Sequence, residues 1–217
     1  MMPIPWRRLT PLLLAVVVSG CGSSPPETFH LLSRPAGTEV ASSARGYGVL
    51  VGPVSVPEVV DRPQLVIRTE ASRVVIREQQ RWAEPLADGI AQALAEDLNL
   101  ALPQAYVYSQ QRAPGNSLAP RFRLGLDVQR FESRLTGADA GAVIESAWQL
   151  TTLATGRKSA CRTVVRAALP APGYDGLVAA HQAALAGLAE RLAAVLDQMA
   201  RGQEAFSLPE GTVCQRD

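Results

Sequence analysis

The sequence has few of the residues that usually carry catalysis or metal binding. Its 217 residues include only 2 histidines and 3 cysteines, and aromatic residues make up 5% of the chain. The cysteines are too few for a disulfide-rich scaffold, and no cluster of cysteines and histidines has metal-ligand spacing. A Gly-x-Ser-x-Gly motif and a Gly-Lys-Ser/Thr phosphate loop are absent as well. These absences predict a protein that is not an enzyme, with no catalytic residues, no metal and no cofactor.

The chain also lacks an excess of basic or acidic residues. The chain has 21 basic and 20 acidic residues, which gives a formal net charge of +1. Because proteins hold nucleic-acid phosphates through a basic surplus, we expect no nucleic-acid partner. Hydrophobic residues make up 47% of the chain, enough to build a core and to exclude wholesale disorder. The length suits a single domain.

One long apolar run is present, and it lies at the N-terminus. Arg7 and Arg8 precede aliphatic residues 12–18, a run shorter than the roughly 20 residues that span a bilayer as a helix. The sequence then reads VSGC and resembles a bacterial lipobox, in which the cysteine is acylated. We predict a lipoprotein signal peptide over residues 1–20, lipidation of Cys21 and a lipidated tether over 21–27. The alternative is an ordinary signal peptide, or a buried helix, with a chance cysteine.

The predicted lipid, the only non-protein group expected here, determines the location and the chemistry of the remaining cysteines. Gly22 follows the predicted lipidation site, and the resemblance to the bacterial sorting rule favours the periplasmic leaflet of the outer membrane of a Gram-negative bacterium. The periplasm is oxidising, so Cys161 and Cys214 could form a disulfide that attaches the C-terminal tail to the domain. The alternative is a buried free Cys161 with a loose Cys214.

Periodic apolar residues predict the fold. Trp82–Leu100 and Tyr174–Ala200 repeat apolar residues every three or four positions, as amphipathic helices do. The predicted strands are Thr28–Leu32, Tyr47–Val56, Gln64–Thr69, Arg73–Glu78, Tyr106–Tyr108, Arg121–Phe131, Ala142–Ala154 and Ser159–Leu169. We therefore predict a single α+β domain over residues 28–205, a mainly antiparallel sheet with two long helices packed on one face, and a tail over 206–217.

Several local predictions depend on single residues. Pro53 within the second strand indicates an edge position or a bulge, since proline cannot donate to a ladder. Asp175 is the expected cap of the second helix, and His181 on the apolar stripe of that helix is expected to be a packed residue. Asp127 and Glu132 make no catalytic pair, because residues five apart point to opposite faces of a regular strand.

The most distinctive segments are VPEVVDRPQLVIR at 56–68 and RWAEPL at 81–86. Asp61, Arg62 and Pro63 are predicted to form a turn that starts a strand. The alternative is a rigid loop in which the two charged residues pair with each other, with Arg68 or with a partner. Trp82 is predicted to fill the core beside the start of the first helix rather than to anchor a partner. Glu84 is expected to help cap that helix beside Pro85.

These two motifs, in this order behind a lipobox, resemble those of the ABC-type transport auxiliary lipoproteins, typified by paraquat-inducible protein C. The resemblance covers the whole predicted domain. It implies a non-enzymatic component of a system that moves lipids between membranes, with an MCE-domain periplasmic protein as partner and, through it, an inner-membrane permease. It also implies a homo-oligomer.

Two other functional hypotheses stay open at this point. One is a periplasmic lipid-carrier domain that itself holds an acyl chain between the sheet and the helices, which would require a cavity there of several hundred cubic ångströms. The other is a lipoprotein that activates a cell-wall enzyme.

Overall fold

The computed structural model of the chain describes residues 26–33, 46–110, 119–203 and 207–215. The predicted signal peptide, Cys21 and most of the tether lie outside the described residues.

The secondary structure follows the predicted order, with one additional strand. Nine strands and two helices are present in the described part: β1 (Thr28–His30), β2 (Tyr47–Ser55), β3 (Gln64–Arg68), β4 (Val74–Trp82), α1 (Leu86–Ala101), β5 (Ala105–Ser109), β6 (Pro120–Arg134), β7 (Gly141–Thr152), β8 (Lys158–Ala168), α2 (Tyr174–Ala200) and β9 (Thr212–Gln215).

The strands divide into two sheets rather than the one predicted. The larger sheet has the order β5-β2-β6-β7-β8-β9, and the smaller has the order β1-β4-β3. Strands β6 to β9 are antiparallel, whereas β2 is parallel to both of its neighbours. The prediction of an α+β domain is confirmed. The second sheet arises because β3 turns back onto β4 as a hairpin and β1 pairs with β4.

Both helices pack on one face of the larger sheet, as predicted. Helix α1 lies against β2 and β5, and α2 lies against β7 and β8 and alongside α1. The apolar stripe of α1 is buried, and Ile90, Leu94 and Leu98 have no exposed surface. Leu124 of β6 and Leu185 of α2 are equally inaccessible. Each such side chain contributes about 1.5–3 kcal/mol through burial, so this interface is the main core of the domain.

Helix α1 begins at Leu86, so the prediction of a start at Trp82 is wrong. The Trp82 amide donates to the Pro63 carbonyl at 2.7 Å, which keeps this residue in β4. Pro85 precedes the helix as its N-cap, and no side chain caps the helix. Glu84 therefore has no capping role. Its carboxylate lies beside Gly89, where a Cβ atom would come within 3.3 Å of Glu84 Oε1.

Helix α2 has the predicted bounds but a different N-cap residue. Gly173 is its N-cap, with φ +92°, and Asp175 lies inside the first turn without capping the helix. The left-handed backbone of Gly173 is the reason, because it turns the chain into the helix without a side-chain acceptor.

Two bulges determine which residues face the helices. β2 lies inside the larger sheet, and its pairing with β6 shifts between Val51 and Val54, around Pro53. Of the two alternatives for that proline, the bulge is correct. The pairing of β6 with β7 shifts in turn between Val128 and Arg130.

The second bulge corrects the prediction for the two carboxylates of β6. The residues of β6 that face the helices are even-numbered up to Val128 and odd-numbered from Phe131 onwards. Asp127 and Glu132 therefore lie on the same outer face, because the bulge inserts one extra residue between them. They still form no pair: Asp127 accepts a hydrogen bond from Ser55 Oγ at 2.5 Å, whereas Glu132 binds arginines.

The predicted tail contributes a strand to the larger sheet. β9 pairs with β8 in a register that sets Cys214 opposite Cys161, with the Cα atoms 3.9 Å apart and the sulfurs 1.95 Å apart, as in a disulfide. The Thr163 and Thr212 hydroxyls lie 3.0 Å apart in the same ladder, and Trp148 Nε1 donates to Thr163 Oγ1 at 2.9 Å. Buried hydrogen bonds and the paired cysteines thus both hold β9 against β8.

We predict that Cys214→Ser lowers the free energy of unfolding by about 2–4 kcal/mol, because the unfolded chain then gains the freedom that the crosslink removes. Urea denaturation without reductant measures this change, with Val213→Ser as the control on the same strand. Alkylation of both thiols in the non-reduced protein, seen by mass spectrometry, would contradict the bridge.

Candidate functional site

The distinctive motif folds as a loop followed by a hairpin. We call the loop 57–63 together with β3 and β4 the hairpin module. The amides of Val60 and Asp61 donate to the Pro57 carbonyl at 3.0 and 3.1 Å, and the Arg62 amide donates to the Val60 carbonyl at 2.8 Å. These bonds close the loop as a compact turn before Pro63.

An aromatic cluster attaches the hairpin module to the rest of the domain. Trp82, at 7% exposure, makes edge contacts with the rings of Phe131 and His181, each at 6.1 Å between centroids. Phe131 and His181 stack at 4.1 Å with 8° between their planes. Since these three residues come from β4, β6 and α2, the cluster joins the two sheets and a helix.

An ion-pair network forms a second attachment. Arg68 Nε lies 2.9 Å from Glu132 Oε2, and Arg68 Nη1 donates to the Ala71 carbonyl at 2.6 Å. Glu132 also accepts from Arg134 Nε at 2.7 Å. The side chain of Glu132 is largely buried, so the network holds β3 against β6 in a partly desolvated setting.

The charged residues of the loop lie in a turn that precedes β3. Asp61 is exposed and Arg62 is half-buried, and among the described residues neither forms a salt bridge. The alternative, in which the two pair with each other or with Arg68, is therefore not present among the described residues. Of the five residues singled out in the sequence, the structure brings Pro63 and Trp82 into direct contact. It directs Arg68 to β6 and leaves Asp61 at the surface.

The module presents apolar side chains that sequence reasoning missed. Val59, Val74 and Ile76 are 50%, 39% and 38% exposed, and we call them the hairpin patch. Val59 and Val74 line a groove of about 190 Å³ between the loop and β6. The consecutive apolar residues at 74–76 were the available signal, because apolar side chains on both faces of a strand exceed what a single core contact requires.

Among the residues that the structure describes, no group of three or more histidine, cysteine or acidic side chains could hold a metal ion. Within the same ranges, no helix has the length and apolar character to cross a membrane.

Comparison with known proteins identifies the family. A family model described as the ABC-type transport auxiliary lipoprotein component matches residues 29–193, which is most of the chain. The chain belongs to this family. No curated protein matches the sequence significantly.

Solved structures support the fold of this auxiliary lipoprotein. One similar structure is that of an uncharacterized protein, with a TM-score of 0.62 at 20% identity, covering 79% of this chain and 99% of the other. A second is a Xanthomonas campestris protein assigned to DUF330, with a TM-score of 0.58 at 18% identity, covering 82% of this chain and 98% of the other. At these identities the likeness shows a shared fold.

The histidine of the aromatic cluster is a core residue of this auxiliary lipoprotein. His181 is 1% exposed, and its Nε2 lies 2.7 Å from Ser133 Oγ. Its Nδ1 is buried with no hydrogen-bond partner among the described residues. Burial penalises the charged ring and lowers the pKa of His181 from 6.5 to about 3. The ring is therefore uncharged at neutral pH, where it stacks against Phe131.

This burial predicts an acid-sensitive cluster. The unfolded state binds a proton on His181 below pH 6.5, whereas the folded state does so only near pH 3, so stability is full above 6.5 and is lost as the pH falls through this window. We expect the wild type to lose up to about 1.4 kcal/mol per pH unit relative to His181→Gln.

Urea unfolding of both proteins at several pH values between 4 and 7.5 checks this expectation. Gln can still donate to Ser133 but does not titrate, so the difference between the two curves isolates the ring. If the unfolding free energies of the wild type and of His181→Gln changed in parallel with pH, the ring would titrate alike in the folded and unfolded states, contrary to this prediction.

Proposed function

We propose that this auxiliary lipoprotein is held at the periplasmic leaflet of the outer membrane by lipid on Cys21. There it acts as a non-enzymatic docking component of an MCE/ABC-type system that transports lipids between the membranes. The family supports the role of transport auxiliary. The observation that carries the docking role is the hairpin patch, in which Val59 of the distinctive segment 56–68 lies beside Val74 and Ile76 of β4.

The hairpin patch has the properties of a protein contact. Its three aliphatic side chains are adjacent, since Val74 and Ile76 lie on one face of β4 and Val59 shares a groove with Val74. Adjacent exposed apolar residues favour burial against a partner. The aromatic cluster and the Arg68–Glu132 pair hold the strands beneath them, so little ordering is needed on binding.

The proposed partner is an MCE-domain periplasmic protein and, through it, an inner-membrane permease. The short tether supports this geometry from the membrane side. The seven-residue span from Cys21 to Thr28 reaches at most about 25 Å, so a lipidated Cys21 would keep β1 close to the outer membrane. A partner that extends from the inner membrane would then contact the hairpin module with the end of the partner that lies nearest the outer membrane.

Assembly of several copies would strengthen docking. We include a homo-oligomer in the proposal, because linked copies present several hairpin patches and convert later contacts into intramolecular ones.

The packing of the core favours docking over the lipid-carrier alternative. A carrier would hold its acyl chain between the sheet and the helices. In the described part, that space is occupied by fully buried side chains such as Leu94, Leu124 and Leu185. Grooves of several hundred cubic ångströms lie instead on the opposite, outer face of the sheet.

Cys21→Ser is predicted to move the protein from the membrane fraction to the soluble periplasmic fraction, because no lipid would then be attached. Fractionation after spheroplasting, with separation of the inner and outer membranes on a density gradient, measures the change. Cys214→Ser is the control for loss of a thiol. Retention of the Cys21→Ser protein in the outer-membrane fraction would contradict anchoring by lipid.

A photo-crosslinking amino acid at position 76 is predicted to capture an MCE-domain protein in living cells. The same residue at position 213 is the matched control, since Val213 is an apolar strand residue at 72% exposure outside the hairpin module. Mass spectrometry of the crosslinked bands identifies the partner. Equal capture from both positions, or capture of a cell-wall enzyme alone from position 76, would contradict docking through the hairpin patch.

A further inference from the structure

The charges of the domain are segregated between its two sides. Strands β6, β7 and β8 carry seven basic and three acidic residues, all at positions that face away from the helices. The two helices carry six acidic residues and one basic residue. The outer face of the sheet thus has a net charge of +4 and the helices −5, although the whole chain is nearly neutral.

Three of these seven basic residues, together with Arg68 of the hairpin module, line one groove of this outer face. Its volume is about 650 Å³, and it is lined by Arg68, Arg130, Arg134 and Arg166. Among the described residues, two carboxylates, those of Glu132 and Asp139, line the same space. Arg68 comes from the hairpin module and the other three from the larger sheet, so the fold brings together guanidinium groups from three strands.

The carboxylates satisfy these arginines incompletely. Glu132 is shared between Arg68 and Arg134, and Arg134 also lies 3.2 Å from Asp139. Arg130 Nη2 pairs with Glu145 at 2.8 Å, while its buried Nε has no hydrogen-bond partner in the described part.

Glu145 is itself shared, because Arg162 pairs with its other oxygen. Arg166, on the opposite wall of the groove, forms no ion pair with any described residue. A guanidinium group has five N–H donors, so unused donors face the groove from both sides.

The floor of the groove, between β6 and β8, is formed by short apolar residues of β7. Val143 lies between Glu132 and Arg166 in the ladder, and Gly141 lies between Arg134 and Ala168. A Cβ atom on Gly141, whose φ is +140°, would come within 2.0 Å of the Ala167 carbonyl oxygen, so only glycine fits. Because the residues in the middle strand are short, the long arginine side chains on either side can reach over them toward a common ligand.

We propose that this groove binds the phosphate group of an anionic phospholipid headgroup. A phosphate offers several oxygens to planar, forked guanidinium donors, which suits arginines that approach from two sides. The alanine and valine floor suits the glycerol carbons and the first methylenes next to the phosphate. The site deepens the proposed function by assigning a ligand class to a surface separate from the hairpin patch, and its binding test requires no MCE partner.

The test uses the full-length lipidated protein in non-ionic detergent, titrated with the soluble lipid dihexanoyl phosphatidylglycerol. Native mass spectrometry counts the bound lipid, and calorimetry measures the affinity. Arg166→Ala is expected to weaken binding about tenfold, the loss typical of a charge-assisted hydrogen bond. Arg166 is exposed and unpaired in the described part, so its removal should leave the melting temperature unchanged.

Two further variants make the result specific. Lys158→Ala removes the same charge from the same face of β8 at its other end and should leave the affinity unchanged. Arg166→Lys keeps the charge but not the fork, and it should recover only part of the affinity.

Inorganic phosphate forms a parallel arm that distinguishes a lipid from a free anion. Equal affinity for inorganic phosphate and for the lipid would overturn the headgroup assignment. Equal weakening by Lys158→Ala and Arg166→Ala would show a diffuse charge effect and overturn the site. Absence of any lipid binding, or selective binding of an acidic peptide in place of the lipid, would also overturn it, whatever the crosslinking at position 76 shows.

Discussion

The stack of Phe131 on His181, closed at its edge by Trp82, is the contact on which the arrangement of this domain depends. In the described part of the chain the smaller sheet forms no backbone ladder with the larger one, so side chains determine its position. Three aromatic rings from three elements fix it in place. The Arg68–Glu132 pair adds a polar attachment nearby. The hairpin module can therefore present apolar surface to solvent without losing its orientation.

The larger sheet separates two kinds of surface. On its inner face, leucines and alanines of both helices form the core, and the charged residues of the helices are mostly carboxylates. Its outer face carries arginines that share too few acidic partners. A domain of this kind has a strong internal charge asymmetry at almost zero net charge, so it can orient in a field of fixed charges without binding polyanions indiscriminately.

Local patterns predicted the helices and the β6-β7-β8 meander, because amphipathic periods and strand alternation depend only on neighbouring residues. Non-local contacts account for the misses. The RWAEPL motif predicts that Trp82 is helical. The Trp82 amide instead donates a hydrogen bond to the carbonyl of Pro63, nineteen positions earlier, and this bond keeps Trp82 in β4. β9 has only four residues, too few for a strand pattern to show in the sequence, and its pairing with β8 makes it a strand. The hairpin patch follows from the division into two sheets, which no residue pattern specifies.

The bulge near Gln129 has a consequence for how this sequence can change. It switches the parity of β6, so that Val128 and Phe131 both point to the core while Glu132 stays with the outer arginines. If β6 paired with β7 without this bulge and kept every residue, Arg130 and Glu132 would point inward and Phe131 would leave its stack. The extra residue at position 129 is therefore what reconciles an inward Val128 and an inward Phe131 with outward-facing charges between and after them. The spacing along β6, more than the identity of any one residue, is what keeps the core and the charged groove on opposite sides of the sheet.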